Sequence, residues 1–390
     1  MDNKQYLIYL ISCVLHDRKP ELPASNISIK SIYTLARFYG VENLALRAVE
    51  RMGCFSDEDL QEWRVLCEKL QYQNIIQKME YHNILKEFTA SGIKVLPLKG
   101  CVLKPMYPLE ADRKMGDIDL LIGVGTWDQA RSVMEKMGYT CKAFGVTNHD
   151  FYEKKPWMNV ELHRSLFSEK NEFCWYFQNV WDYAAPADEN TYVYTLPWDE
   201  FYIYLMAHFA KHCRISGSGI RSIVDIYIFL QKHGSELDRE YIGERLREMG
   251  IWEFACDVEK IADKWFSGAL YAERDCDYGS LEALILRSGI YGSGRQEMMN
   301  RIDQAAREKD SLKTAKWRYT LTCIFAGYDD MKYRYPVLER FPFLLPVLWI
   351  SRGFRIVLFD RKKIRDFRKG LNEVKGRQTW INEGKGGGHR

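Results

Sequence analysis

Paired cysteines are missing from this chain, although it carries 10 of them. They stand at positions 13, 54, 67, 101, 141, 174, 213, 256, 276 and 323, and no two form a CxxC pair. That scatter excludes a zinc-ribbon framework and reads as free thiols in a reducing compartment, so a cytoplasmic location is expected. Long apolar runs are missing too. Tyr6–Leu15 covers about 10 residues, half of the ~20 that a bilayer-spanning helix needs. His16-Asp17-Arg18-Lys19 follows it instead of a small-residue cleavage site, so a buried helix is expected there. The apolar run 341–351 is interrupted by Pro342 and Pro346 and is no span either. An excess of one charge is also lacking: 56 Lys+Arg against 53 Asp+Glu leave +3, too little to imply an obligatory nucleic-acid coat. There is no heptad, collagen-type or longer internal repeat.

What the 390 residues do contain is enough apolar material for a sizeable core, 46% hydrophobic against 28% charged, in a length that suggests two or three domains. Aromatic residues are abundant at 14%. Residues 1–90 read as helical throughout. The clearest case is 57–89, where Leu60, Trp63, Leu66, Leu70, Ile75, Ile76, Met79, Ile84, Leu85 and Phe88 recur at three- and four-residue steps. Ser56 and the acids after it open that helix, and Gly92 closes it. Over 91–196 the texture changes to short strand-like runs at 93–98, 118–122, 139–144, 160–166 and 191–196, with a helix at 127–137. This alternation indicates an α/β sandwich. Helices at 198–213, 220–233 and 239–249 begin a helical region expected to reach about 370. The stretch 361–390 holds 10 Lys/Arg and 3 Asp/Glu, with a flexible basic tail expected over 371–390. It reads as a solvated tail or as a phosphate-binding arm, the latter allowing a nucleic-acid acceptor.

The chemistry gathers in the middle region. In Met115-Gly116-Asp117-Ile118-Asp119-Leu120-Leu121-Ile122 a strand would turn Asp117 and Asp119 to one face and Ile118, Leu120 and Ile122 to the other. Two carboxylates about 4 Å apart repel by about 4 kcal/mol at an effective dielectric of 20, so the pair asks for positive charge. An all-oxygen set favours Mg²⁺ or Mn²⁺ over zinc. The alternative is a strand end with two exposed acids. Upstream, Val95-Leu96-Pro97-Leu98 runs into Lys99-Gly100, either an anion cradle or an ordinary strand-to-helix turn. Downstream, Asn159-Val160-Glu161-Leu162-His163 alternates again. Glu161 could add a third carboxylate if its strand lies beside the first, or stand as an exposed acid on an edge strand. His163 shares its face, as a site residue or as a hydrogen-bonded structural one.

Taken together, Leu98-Lys99-Gly100, Tyr107-Pro108, Arg113, Gly116-Asp117-Ile118-Asp119-Leu120-Leu121, Gly138-Tyr139 and Val160-Glu161-Leu162-His163 resemble the polymerase β-like nucleotidyltransferase superfamily. Within it they are most similar to a bacterial branch of uncharacterised nucleotidyltransferases. The resemblance covers about 93–165 and extends to about 235 through Arg221 and Asp225. It implies an α+β fold, with a small mixed, palm-like sheet flanked by N-terminal and C-terminal helical regions. It further implies Mg²⁺ or Mn²⁺ held by Asp117, Asp119 and Glu161, and transfer of an NMP group from an NTP to a hydroxyl by two-metal in-line displacement. The same likeness places Lys99, Gly100, Arg113, Gly116, His163, Arg221 and Asp225 around the nucleotide. Arg113 would touch phosphate or buttress an aspartate. The acceptor would be a small molecule or a protein. One departure stands out: the family's usual Gly-Ser or Gly-Gly is here Gly100-Cys101 preceded by Lys99. That departure motivates a second reading, a catalytically silent nucleotide-binding or regulatory module of the same fold.

Three weaker candidates remain. His208 and His212 share a helix face, but no Glu follows the first of them. Ser216-Gly217-Ser218-Gly219 reads as an anion site at a helix start or as a helix–helix turn. The segment 173–183, with Cys174-Trp175-Tyr176-Phe177, reads as the floor of an acceptor pocket or as core.

Overall fold

The computed structural model describes residues 1–22, 27–189, 191–267, 279–289, 311–328 and most of 331–359, with a few single positions outside these. The basic stretch 361–390 lies, isolated positions apart, outside the described residues, as does the last part of the expected C-terminal helical region. The chain divides into two compact units, one of residues 1–210 and 219–277, the other of 211–218 and 278–390.

The first unit opens with helices α1 (Asn3–Leu15), α2 (Ile29–Tyr39), α3 (Glu42–Met52) and α4 (Asp57–Ala90). The short apolar run expected to be buried is α1, with Tyr6, Leu7, Ile8, Leu10 and Ile11 all buried. The start of α4 is fixed as its sequence requires. Ser56 Oγ accepts the Asp59 amide, and the Asp59 carboxylate accepts the Ser56 amide in return, which satisfies two of the free donors of the first turn. Gly92, at φ +68°, closes it. Leu60, Trp63, Ile84 and Phe88 are buried as the helical spacing predicts. Ile75 and Met79, counted in the same stripe, are exposed instead.

The sheet holds β1 (Val95–Pro97), β2 (Ile118–Ile122), β3 (Thr140–Ala143), β4 (His149–Lys154) and β5 (Met158–His163), in the order β1-β2-β5-β4-β3. Only β2 and β5 pair in parallel; every other neighbour is antiparallel. The sheet is therefore mixed, and the chain is an α+β protein with helical flanks. The alternating texture at 93–195 points to an α/β sandwich, but the antiparallel return of β4 onto β5 breaks that pattern. The run expected at 191–196 does not join this sheet as a strand. Tyr194–Thr195 (β7) forms its own two-stranded ladder with Ala185–Pro186 (β6).

One face of the sheet is apolar. Ile118, Leu120 and Ile122 of β2 pack with Val160 and Leu162 of β5 against Ile84 and Phe88 of α4 and against Ala130 and Met134 of α6 (Trp127–Lys136), the helix after the single turn α5 (Gly100–Leu103). Each such side chain gains about 1.5–3 kcal/mol by leaving water. A one-residue slip of either strand would forfeit several of these contributions and turn carboxylates into the core. The parallel register is pinned accordingly: Ile118 faces Val160, Asp119 faces Glu161 and Leu120 faces Leu162.

The single turn α7 (Val180–Tyr183) and helices α8 (Trp198–Ile215), α9 (Ile220–His233), α10 (Arg239–Glu248) and α11 (Trp252–Phe266) follow. The second unit includes helices Gly279–Ile285, Leu312–Ile324, Val337–Arg340 and Leu345–Phe359. Phe173 and Phe177 are buried and pack on Phe167, so that part of the aromatic segment is core.

Candidate carboxylate cluster

The sheet register that buries the isoleucines brings the acids together. Asp119 and Glu161 sit opposite each other on adjacent parallel strands, and His163 lies two residues further along the same face of β5. An oxygen of Asp119, an oxygen of Glu161 and a ring nitrogen of His163 all lie within 4.8 Å of one another. Among the described residues this is the group of three or more metal-type side chains that converge; His208 and His212 belong to none. Asp117 stands just before β2, not within it, and is partly buried.

Positive charge meets the cluster from two sides. Lys99 Nζ donates to Asp119 Oδ1 at 2.8 Å, and His163 Nε2 contacts the same oxygen at 2.8 Å. His163 Nε2 is also 3.4 Å from Glu161 Oε2. Burial alone would raise the Asp119 carboxyl, but the Lys99 ammonium and the His163 bond outweigh it and hold the group well below its ordinary range. Burial works against the His163 imidazolium as well, yet the bonds to Asp119 and Glu161 push its pKa up. Glu161 is held below its usual value, with the His163 bond overcoming burial. Asp117 gets only weaker help, through space, from Lys99 and His163. Burial first, then the charges of Asp119 and Glu161, outweigh them and push it up to about 6.

The segment around Lys99 is held in an uncommon shape. Lys99 has φ +40° and ψ −108°, a sparsely populated region for a residue with a side chain, which costs on the order of 1–3 kcal/mol. Gly100 leaves no room for a Cβ, which would stand 2.6 Å from both Arg113 Nη1 and Met115 Sδ. Cys101, which follows Gly100, is buried, and its thiol points at the Asp119 carbonyl at 3.7 Å. Burial pushes that thiol up to about 12.

Arg113 and Asp225 form a second buried cluster. The Arg113 guanidinium donates to both oxygens of Asp225, at 2.7 and 2.8 Å, and the Tyr107 hydroxyl donates to Asp225 Oδ1 at 2.6 Å. Arg221, one helical turn before Asp225 on α9, donates to the Lys114 carbonyl at 3.0 Å. Of the two roles open to Arg113, its guanidinium is occupied as a buttress, and the aspartate it holds is Asp225. Arg221 and Asp225 thus grip the segment that leads into Asp117. Gly116 lies exposed in that segment.

Two residues near the cluster were not legible in the sequence. His149 on β4 has Nε2 3.8 Å from Glu161 Oε1, and its ring lies 5.3 Å from that of His163. Burial lowers its pKa against the pull of Glu161. Tyr204 on α8 is fully buried, its hydroxyl has no hydrogen-bond partner among the described residues, and it interacts electrostatically with Lys99, Asp119 and Glu161. No local signal marks either one, because both reach the site only through tertiary packing.

A divalent cation suits this donor set. The oxygens of Asp119 and Glu161 converge with a His163 ring nitrogen, Asp117 lies close enough to repel both acids, and carboxylate oxygens of this kind favour Mg²⁺ or Mn²⁺. No helix among the described residues is long and apolar enough to cross a membrane. No curated protein and no solved structure matches the chain. The model of a family described as uncharacterised nucleotidyltransferase matches residues 25–267, well over half of the chain and the whole of the cluster. The chain therefore belongs to the uncharacterised nucleotidyltransferase family, and its general chemistry is nucleotidyl transfer.

Proposed function

We propose that the protein moves an NMP group from an NTP to a hydroxyl of a small-molecule or protein acceptor, using Mg²⁺ or Mn²⁺ held by Asp117, Asp119 and Glu161. The observation that carries this reading is the register of Asp119 against Glu161 on adjacent parallel strands, with Asp117 close enough to feel both charges. Bound there, divalent cations supply neutralisation of the triphosphate and a lowered pKa for the acceptor hydroxyl.

The chain's own groups do the positioning. His163 fixes the rotamer of Asp119 through its 2.8 Å contact. The amide of Leu98 and the thiol of Cys101 hold the Asp119 carbonyl, at 3.1 and 3.7 Å, and so fix its backbone. Arg113, Arg221 and Asp225 anchor the approach to Asp117, a supporting role that keeps the carboxylates in place for in-line geometry. Lys99 brings an ammonium to 2.8 Å from Asp119 Oδ1, a positive charge available to the phosphates of an NTP. Free thiols at every described cysteine accord with a cytoplasmic setting.

The test is to incubate the purified protein with Mg²⁺ or Mn²⁺, each α-labelled NTP and a panel of acceptors. Transfer that disappears in Asp117→Asn and Asp119→Asn supports the reading, and transfer that both variants retain in full overturns it. One observation favours the catalytically silent module instead: Asp119 already has an ammonium on it. Calorimetry separates the two, because NTP binding that needs no divalent cation and survives Glu161→Gln belongs to the module.

A further inference from the structure

We propose that Lys99 is the resident counter-cation of the carboxylate cluster, competing with the divalent cation for Asp119 and leaving that oxygen when the cation binds. This inference rests on the reading of the cluster as a cation site.

Three observations converge on it. First, Asp119 Oδ1 is engaged by two donors, Lys99 Nζ and His163 Nε2, each at 2.8 Å. A dication on that oxygen would stand beside an ammonium, and like charges at such spacing in a partly buried site repel strongly. Of the two donors, the lysine is the one able to leave. His163 is buried on β5 with a short side chain, whereas Lys99 keeps 20% of its side chain exposed on a flexible four-carbon stem. Second, the Lys99 backbone is held at φ +40°, and Gly100 packs without room for a Cβ against Arg113 and Met115. The ammonium is thus delivered to Asp119 from a fixed base, and a change of side-chain rotamer can release it while the backbone stays put. Third, Cys101 turns its thiol to the Asp119 carbonyl, so that thiol offers no donor to a phosphate. A released Lys99 ammonium is a cation next to that position, and the triphosphate of an NTP is the anion that would receive it.

On this account the unusual Lys99-Gly100-Cys101 is a device for two states. The cation-free cluster is neutralised from within, and cation binding frees the lysine for the nucleotide. A permanent structural ion pair, by contrast, would leave Lys99 on Asp119 throughout.

The experiment is a Mn²⁺ titration of the full chain, with free Mn²⁺ read by electron paramagnetic resonance, on the wild type and Lys99→Met. The competition predicts that Lys99→Met binds Mn²⁺ about tenfold tighter or more, equivalent to about 1.4 kcal/mol no longer spent on breaking the ion pair. Equal or weaker binding by the variant overturns it. If neither protein binds Mn²⁺, the cluster is not a cation site and the reading beneath this one falls as well. Should Lys99→Met not fold, pulsed acetylation of the wild type decides the matter. Lys99 should become more reactive to acetic anhydride when Mn²⁺ is added, and unchanged or reduced reactivity refutes displacement.

Discussion

Two buried carboxylates, Asp225 and Asp119, lie on either side of the Gly100–Arg113 contact, and they are built on opposite plans. Asp225 receives a bidentate guanidinium and a tyrosine hydroxyl, so its charge and its acceptor sites are matched within the protein. Asp119 is matched singly by Lys99 and His163, but Glu161 and Asp117 stand beside it, three carboxylates against one lysine and one histidine. The first arrangement holds two distant segments of chain in place, Arg113 and Asp225 being 112 residues apart. The second keeps surplus negative charge in a partly buried place, which no demand of folding explains. Such surplus is what a site for cations requires.

Variants can break this contrast from either side. The largest effect on stability is expected from Arg113→Met. It leaves Asp225 buried with an uncompensated charge, so a loss of about 3–5 kcal/mol is expected in urea unfolding. Glu161→Gln should behave in the opposite way, barely altering the unfolding midpoint while lowering the transfer rate about a thousandfold, roughly 4 kcal/mol of transition-state stabilisation. Gly100→Ala touches both clusters at once. Its added Cβ meets Arg113 and Met115 at 2.6 Å, so a stability loss of about 1–3 kcal/mol is expected from thermal melts.

The Asp117→Asn variant is checked by the sign of its effect. Burial and its acidic neighbours raise the folded-state pKa of Asp117 from 3.8 to about 6. The folded chain therefore keeps its proton where the unfolded chain has lost it. The associated stability is fully present below pH 3.8, falls as pH rises towards about 6, and is gone above that. Asn removes this loss. Cation-free Asp117→Asn should be more stable than wild type at pH 7.5 and indistinguishable from it below pH 4. A variant destabilised at pH 7.5 would show that Asp117 is well compensated in the wild type.

Much of this architecture could be read from local pattern. The alternation Ile118-Asp119-Leu120 and Val160-Glu161-Leu162 sorts apolar from acidic faces by strand geometry alone, and the parallel register of the two strands follows from burying the apolar set. The cap at Ser56 and the glycine at 92 mark the ends of α4 equally well. What stayed hidden depends on contacts distant in sequence. Strand β4, His149-Asp150-Phe151-Tyr152-Glu153-Lys154, mixes polar residues onto both faces, because Asp150 is buried against Arg164, and so it loses the two-residue period. Without that period neither β4 nor the His149 it carries has a local strand signal. The ion pair of Lys99 with Asp119 spans 20 residues, and a strained backbone angle that no propensity scale encodes shapes its base. The same limit applies to Arg113: a spacing of residues places it near the aspartates, but only packing decides that it holds Asp225.

The central claim is that Asp119 and Glu161 share a divalent cation, and equilibrium dialysis of the full chain against ⁵⁴Mn²⁺ addresses it directly. The account predicts saturable retention by the wild type that collapses in the Asp119→Asn, Glu161→Gln double variant while the variant's circular dichroism stays native. Retention that is undiminished in that variant, or absent from the wild type at millimolar Mn²⁺, would contradict it.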